Sequence, residues 1–336
     1  MKLFLVSLCV IFFSQASAQK GDFKTVDFQK ADSVASYYKG HDLTNLPVLS
    51  YKLSSPLTTD VEKFRAIHSW VSNNIANDVE DYRINKKKRE KFHDDPAALQ
   101  EWNEKFREKV FAKLLKEKKT ICTGYAYLIA ELSGMAGISA QIIDGYGRTV
   151  TTSLEGKPIP NHSWNAVKLE GKWYLCDATW SSGGISLEER EFIPGYHDGY
   201  FLAEPGLFAL NHYPLDTAWL LTDPKISFED FMNSPLVYKY AFSNQIKPVQ
   251  PAGMNIQLSQ GTPVEFVFEL GNAAVADQIS IEISRGNFVK VMDPILEKAG
   301  QRYNFSFQPG LKGKFDLHVR VGEEYVISYH VETKRK

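Results

Sequence analysis

A chain of 336 residues has room for about two domains at roughly 150 residues each. With 43% hydrophobic and 24% charged residues it can bury an ordinary globular core. Its formal net charge of −1 argues against a general nucleic-acid binder, which carries a basic excess.

The first eighteen residues read as a secretory signal. Lys2 is the positive leader, Leu3 to Phe13 is nearly all apolar, and Ala16-Ser17-Ala18 precedes an expected cleavage before Gln19. The apolar run is too short for a bilayer, which needs about 20 residues, and no later stretch is long enough. The expected location is secreted or periplasmic, with no integral membrane segment after cleavage. Without Cys9, the mature chain keeps only Cys122 and Cys176, too few for a disulfide framework.

Residues 19–57 form an N-terminal segment with one helix, about Phe28 to Tyr38, and then a polar loop broken by Pro47 and Pro56. Thr59 and Glu62 make a capping box, and Phe64, Ile67, Val71 and Ile75 follow at helical spacing. This predicts a helix over Asp60–Ile75. Residues 82–119 hold 13 basic and 7 acidic side chains, a local excess of 13 − 7 = 6 positive charges. They read as a solvated helical insertion with one apolar stripe rather than a docking surface. A second helix is expected over Cys122–Met135, with Tyr125, Leu128, Ile129 and Leu132 on its inner face. Ser139–Ile143 reads as a strand, Gly145-Tyr146-Gly147 as the turn out of it, and Thr149–Asn161 as a polar loop. Two strands, His162–Leu169 and Lys172–Thr179, join through Glu170-Gly171, a tight hairpin signal. Residues 183–245 read as irregular. From 250 to 336, short alternating runs at Val264–Glu269, Gln278–Ser284, Tyr303–Gln308, Lys314–Val321 and Tyr325–Val331 predict a small β-sandwich.

The chemistry starts at Cys122. A thiol in the first turn of a helix faces unpaired N–H groups and the positive end of the dipole, which favour the nucleophilic thiolate. In the hairpin, pairing Leu169 with Lys172 brings His162, Trp164, Leu175, Asp177 and Thr179 onto one face, with His162 and Asp177 as diagonal neighbours. An aspartate there would hold the imidazole in one tautomer and stabilise its charged form. A slip of one residue would separate the two. The same count puts Cys176 on the opposite face, as a small buried hydrophobe rather than a disulfide partner of Cys122.

Three segments carry a family resemblance. Ile121-Cys122-Thr123-Gly124-Tyr125-Ala126, Asn161-His162-Ser163-Trp164-Asn165-Ala166-Val167 and Trp173-Tyr174-Leu175-Cys176-Asp177-Ala178-Thr179-Trp180 resemble the cysteine, histidine and aspartate segments of transglutaminase-like proteins, in the same order. The helix ending Ile67-His68-Ser69-Trp70-Val71-Ser72-Asn73-Asn74-Ile75 is similar to one in the kyphoscoliosis-peptidase-like branch, as is Tyr200-Phe201-Leu202 through His212, Pro214 and Trp219. The resemblance implies an α+β fold: a papain-like, transglutaminase-like core over 58–245 in which a helix packs on an antiparallel sheet, followed by a small all-β, Ig-like sandwich. It implies Cys122 as nucleophile, His162 as base and Asp177 as orienting acid. A bacterial exported type is expected from the leader.

The expected function is thiol acyl transfer on a protein or peptide substrate, with hydrolysis favoured. Protein cross-linking and a catalytically silent binding protein are the alternatives that the same family offers. The chemistry requires no cofactor and no metal. His68 reads as structural, His197 as a weak second site, and His212 as a family position more often structural than catalytic. The second oxyanion donor, the substrate and the oligomeric state are not legible.

Overall fold

The computed structural model describes residues 20–150, 152, 159–186 and 188–334. The expected leader 1–18 and most of the loop between Thr149 and Asn161 lie outside these residues.

Two short helices open the described chain, α1 (Gln29–Tyr37) and α2 (Leu46–Ser54). The second corrects the loop expected around Pro47. Asn45 caps Val48 N–H, and proline in the first turn lacks only an N–H that the helix could not have used. The next helix, α3 (Asp60–Asn74), begins with the expected capping box of Thr59 and Glu62. Its stripe of Phe64, Ile67 and Val71, with Ile75 just beyond it, is buried against α2 and the later core.

The chain then leaves the core and returns. Strand β1 (Ala76–Asn77) pairs in parallel with β2 (Lys119–Thr120), and between them stand α4 (Val79–Lys91) and α5 (Pro96–Glu117). This is the charged insertion. Its long helix buries Phe106, Val110 and Leu114, one residue per turn, and exposes most of the rest. Lys109 and Lys113 reach back to Asp78 and Asp81 at the start of α4, so part of the basic excess is neutralised locally.

The core itself is α6 (Cys122–Met135) laid on a four-stranded antiparallel sheet in the order β5–β4–β3–β8, made of β3 (Ala140–Gly147), β4 (His162–Leu169), β5 (Lys172–Cys176) and β8 (His212–Pro214). Tyr125, Leu128, Ile129 and Leu132 of α6 share a buried cluster with Val167, Leu169, Tyr174 and Cys176 of the sheet. The hairpin has the expected register, with Leu169 opposite Lys172 and Asn165 opposite Cys176.

Two details of this sheet differ from expectation, each for a local reason. The second hairpin strand stops at Cys176. Asp177 instead caps the short helix α7 (Ala178–Ser181), its Oδ1 accepting the Trp180 N–H. Gly145-Tyr146-Gly147 is not a turn. The strand runs on through these residues to pair with β8, because a Cβ at Gly145 would stand 2.2 Å from the Tyr213 carbonyl oxygen and 2.6 Å from the Trp164 ring. Glycine is what permits that approach.

The stretch read as irregular contains a two-stranded ribbon, β6 (Gly183–Ile185) with β7 (Phe192–Pro194). It also holds short helices α8 (Pro205–Phe208), α9 (Phe228–Asn233) and α10 (Lys239–Asn244). Strand β9 (Leu236–Val237) lies between the last two. The C-terminal sandwich has one sheet of β10 (Ile246–Gln250), β12 (Val264–Leu270), β15 (Glu297–Ala299) and β16 (Arg302–Phe307). The other holds β11 (Asn255–Ser259), β13 (Ile279–Arg285), β14 (Phe288–Met292), β17 (Gly313–Val321) and β18 (Glu324–Lys334). Phe266, Phe268 and Phe305 of the first sheet meet Ile281, Leu317 and Tyr329 of the second in one core. That core continues without a break through Phe242, Phe208 and Leu175 to Trp164. The sandwich begins before residue 250, since β10 pairs with β12 and β9 pairs with β18. No helix among the described residues is long and apolar enough to cross a membrane.

The close approach at Gly145 sets a test. Gly145→Ala is expected to destabilise the fold by about 1–3 kcal/mol, because backbone and an indole would both have to move. Gly134→Ala, at a helical glycine with open space around its Cβ position, is expected to be neutral or to stabilise by up to about 1 kcal/mol. Urea unfolding of both variants checks the contrast.

Candidate active site

The parallel β1–β2 pair delivers the chain to Cys122. Ile121 precedes α6 without a side-chain cap, which leaves Cys122 in the first turn at the positive end of the helix. Gly124 allows that turn to sit on Thr120, where a Cβ would lie 2.0 Å from the Thr120 hydroxyl. The Ile-Cys-Thr-Gly order is thus a packing requirement as well as a motif.

His162 enters from the start of β4 and Asp177 from the loop after β5. His162 Nε2 donates to Asp177 Oδ2 at 2.6 Å. The remaining ring nitrogen, Nδ1, is not engaged by Asp177, and the charges of Cys122 and His162 favour each other's ionised form. His162 and Asp177 are thus joined by a hydrogen bond, and Cys122 shares a cavity wall with His162. Trp164 and Trp180 flank the His162 ring, with centroids 6.0 and 5.0 Å away. Cys176 is a fully buried free thiol on the helix-facing side of the sheet, and Cys122 is free as well.

His212 joins the same carboxylate. Its Nε2 donates to Asp177 Oδ2 at 3.0 Å, and its ring stacks on Phe208 at 3.9 Å. Nδ1 lies 2.6 Å from Asn211 Oδ1, and Asn211 Nδ2 donates to the Tyr200 hydroxyl at 3.3 Å. A neutral ring protonated at Nε2 requires this amide turned over, so that its nitrogen donates to Nδ1. Sequence reasoning placed His212 in the family pattern without finding its partner. The signal was absent because residue 212 reaches Asp177 only through β8.

The charges divide cleanly. Burial opposes the charged form of His162, but the Asp177 carboxylate and the Cys122 sulfur outweigh it and raise the imidazole to about 10. Burial likewise works against the Cys122 thiolate, and hydrogen bonding and charge from His162, with the Ser163 N–H, bring the thiol below its usual range. Asp177 is fully buried, which alone would raise its pKa; His162 and His212 hold it well below the carboxylate range instead. Burial dominates at His212 and lowers it to about 4. The charged form is thus favoured at His162 and the neutral form at His212, as two cations on one buried carboxylate oxygen would repel.

The donor atoms of His162, Asp177 and His212 all lie within 4.8 Å of one another. Those atoms are already joined by hydrogen bonds. A metal ion there would displace the protons and take the base away from Cys122, so the donor set fits a proton network better than a metal centre.

A cavity of about 420 Å³ opens onto Cys122 and His162. Asn77, Tyr82, Arg148 and Trp180 form parts of its wall, with Leu236, Val237 and Lys239 opposite. Asn77 stands in register with Thr120, two residues before the cysteine, and its buried Oδ1 has no hydrogen-bond partner. Nothing in the sequence marked it. Tyr82 puts the charged insertion at the cavity edge. His197 Nε2 lies 3.0 Å from the Trp180 carbonyl oxygen, and His68 is buried against Phe64 and Phe201, so both serve packing.

Residues 48–178 match the transglutaminase-like superfamily, and this span includes Cys122, His162 and Asp177. The kyphoscoliosis peptidases of Mus musculus and Homo sapiens are 32% and 31% identical to the chain over 222 residues. Those residues are 65% of this chain and 30% of each relative. Hillarin of Drosophila melanogaster is 25% identical over 231 residues, 65% of this chain and 26% of that protein. The chain thus spans under a third of the length of these relatives. Among solved structures, the Lin-41 filamin domain aligns with 28% of the chain at 9% identity and a TM-score of 0.23.

Alkylation reads the charge state of the site without any substrate. Because the thiol is lowered and its imidazole raised, iodoacetamide is expected to modify Cys122 at a nearly constant rate well below the ordinary thiol pKa of about 8.5. Asp177→Asn removes the main support of the imidazolium, so its alkylation profile moves up toward that ordinary value. Mass spectrometry of the Cys122 peptide across pH measures both.

Proposed function

We propose, from the premise that residues 48–178 belong to the transglutaminase-like superfamily, that this chain is a cysteine acyl-transfer enzyme acting on peptide or amide bonds, with hydrolysis as its main reaction. The observation that supports this reading best is the hydrogen bond from His162 to a buried Asp177, with His162 and Cys122 together on the wall of an open cavity.

In the proposed reaction the Cys122 thiolate attacks the carbonyl carbon and forms a C–S bond. The electrons of the C=O move onto oxygen. The Cys122 backbone N–H, at the uncapped start of α6, is one donor to that oxyanion. The side-chain amide of Asn77, turned with nitrogen toward the cavity, is the second. As the oxyanion collapses the C–N bond breaks, and the His162 imidazolium gives its proton to the leaving amine. Water then attacks the thioester, His162 takes the water's proton, and the C–S bond breaks to release the acid and restore the thiolate. An acceptor amine in place of water would give cross-linking by the same steps.

Asp177 acts by holding the ring and its charge. His212 keeps Asp177 in place without competing for the positive charge. Export is part of the proposal and rests on the composition of residues 1–18.

Peptide mixtures incubated with and without a labelled amine decide the reaction type. Hydrolysed peptides that carry no amine label are the expected products, with an acyl group trapped on Cys122 after acid quench. Cys122→Ala is expected to abolish the signal, Asp177→Asn to lower it by about 10⁴-fold, and Asn77→Ala by roughly 10²-fold. Turnover that survives Cys122→Ala contradicts the proposal. Labelled products in place of hydrolysed ones move it to cross-linking.

A further inference from the structure

The cavity wall holds a cation that the reaction above does not use. Arg148 follows the last residue of β3 and is only 3% exposed. Its backbone N–H donates to the Asn211 carbonyl oxygen at 2.9 Å, which fixes the residue beside the His212 strand. Its side chain has one hydrogen bond among the described residues, from Nη1 to the Pro235 carbonyl oxygen at 3.3 Å. No carboxylate among the described residues forms an ion pair with it. Loss of water by burial alone lowers this guanidinium to about 10, without an opposing acid.

Arg89, half-buried at the insertion, also has no ion pair among the described residues and an unpartnered Nε, but other enclosed arginines are held by acids. Arg65, equally enclosed, is held by both Asp32 and Asp198, and Arg320 by Glu282. A buried guanidinium without an anion is costly, and the cost persists only where something else compensates. Around Arg148 the described cavity lining contains Lys239 and no aspartate or glutamate. The charged groups of this described lining are therefore positive, and a planar fork of N–H donors suits a carboxylate in two-point contact.

Gly147, the residue before Arg148, backs directly onto His162, where a Cβ would lie 3.0 Å from the histidine Cβ. Arg148 thus immediately follows a residue that packs against the base. A volume near 420 Å³ lies within the usual ligand-pocket range of about 300–1,000 Å³.

We propose that Arg148 is the anion-recognition residue of this site, and that the substrate is a peptide or amide bearing a carboxylate close to the reacting carbonyl. This deepens, and rests on, the acyl-transfer reading. The carboxylate has two sources, an acidic side chain or a free chain terminus, and both would meet the same guanidinium.

The test uses full chain and matched peptides in three forms: a glutamate near the reacting bond with an amidated terminus, glutamine with a free terminus, and glutamine with an amidated terminus. Binding is measured by calorimetry on Cys122→Ala, and kcat/KM on the unsubstituted protein. One carboxylate-bearing peptide is expected to exceed the doubly neutral one by about tenfold or more in both readouts, and which one identifies the source. Arg148→Gln is expected to bring that ratio to near one, and Arg148→Lys to keep part of it. Thermal unfolding guards against a structural explanation. Removing an uncompensated buried charge is expected to leave the melting temperature of Arg148→Gln unchanged or higher.

Equal handling of the three peptides, a preference that survives Arg148→Gln, or a large loss of stability in that variant each overturns the proposal. Arg148-dependent binding without turnover would leave it standing while contradicting the acyl-transfer reading. Turnover without carboxylate preference would do the reverse.

Discussion

A single buried carboxylate organises this site. Asp177 accepts His162 and His212 on one oxygen and the Trp180 N–H on the other. An anion with almost no exposure survives only when both its oxygens are hydrogen-bonded and a cation stands beside it. Both conditions are met by residues from three different segments: β4, β8 and the first turn of α7. The same bonds that make the carboxylate tolerable also place the imidazole, and the imidazole in turn lowers the Cys122 thiol. Removing any one of the three leaves an uncompensated charge or an unpaired donor, so the arrangement is cooperative.

The cavity depends on the sandwich more closely than a linker-joined pair of domains would suggest. Leu236 and Val237 line the cavity and are hydrogen-bonded to the sandwich through Ile327 and Ser328 of β18. Pro235, the only described hydrogen-bond acceptor for the Arg148 side chain, immediately precedes them. The apolar core is continuous from the sandwich to Trp164, whose ring flanks His162. The β-sandwich therefore builds one wall of the site and fixes the element that carries it.

Most of what was legible in the sequence came from local pattern. The capping box at Thr59, the apolar stripe of α6 and the hairpin at Glu170-Gly171 are written in neighbouring residues, and the hairpin register alone was enough to bring His162 toward Asp177. Position along the chain failed wherever a distant partner decided the outcome. Gly145 and Gly147 look like a turn until Tyr213 and Trp164 press against the strand. Asp177 looks like a strand residue until Trp180 offers its N–H. His212, Asn77 and Arg148 matter because of tertiary neighbours between about 35 and 90 positions away, and no spacing rule reaches that far.

The account stands on the division of charge between two imidazoles that share Asp177, and nitrogen-15 NMR of ring-labelled histidines observes that division directly. Between pH 6 and 8, His162 is expected to show both ring nitrogens protonated. His212 should remain a neutral ring protonated at Nε2 and begin to titrate only near pH 4. A neutral His162 at pH 7, or a His212 that gains its proton first, would contradict the account.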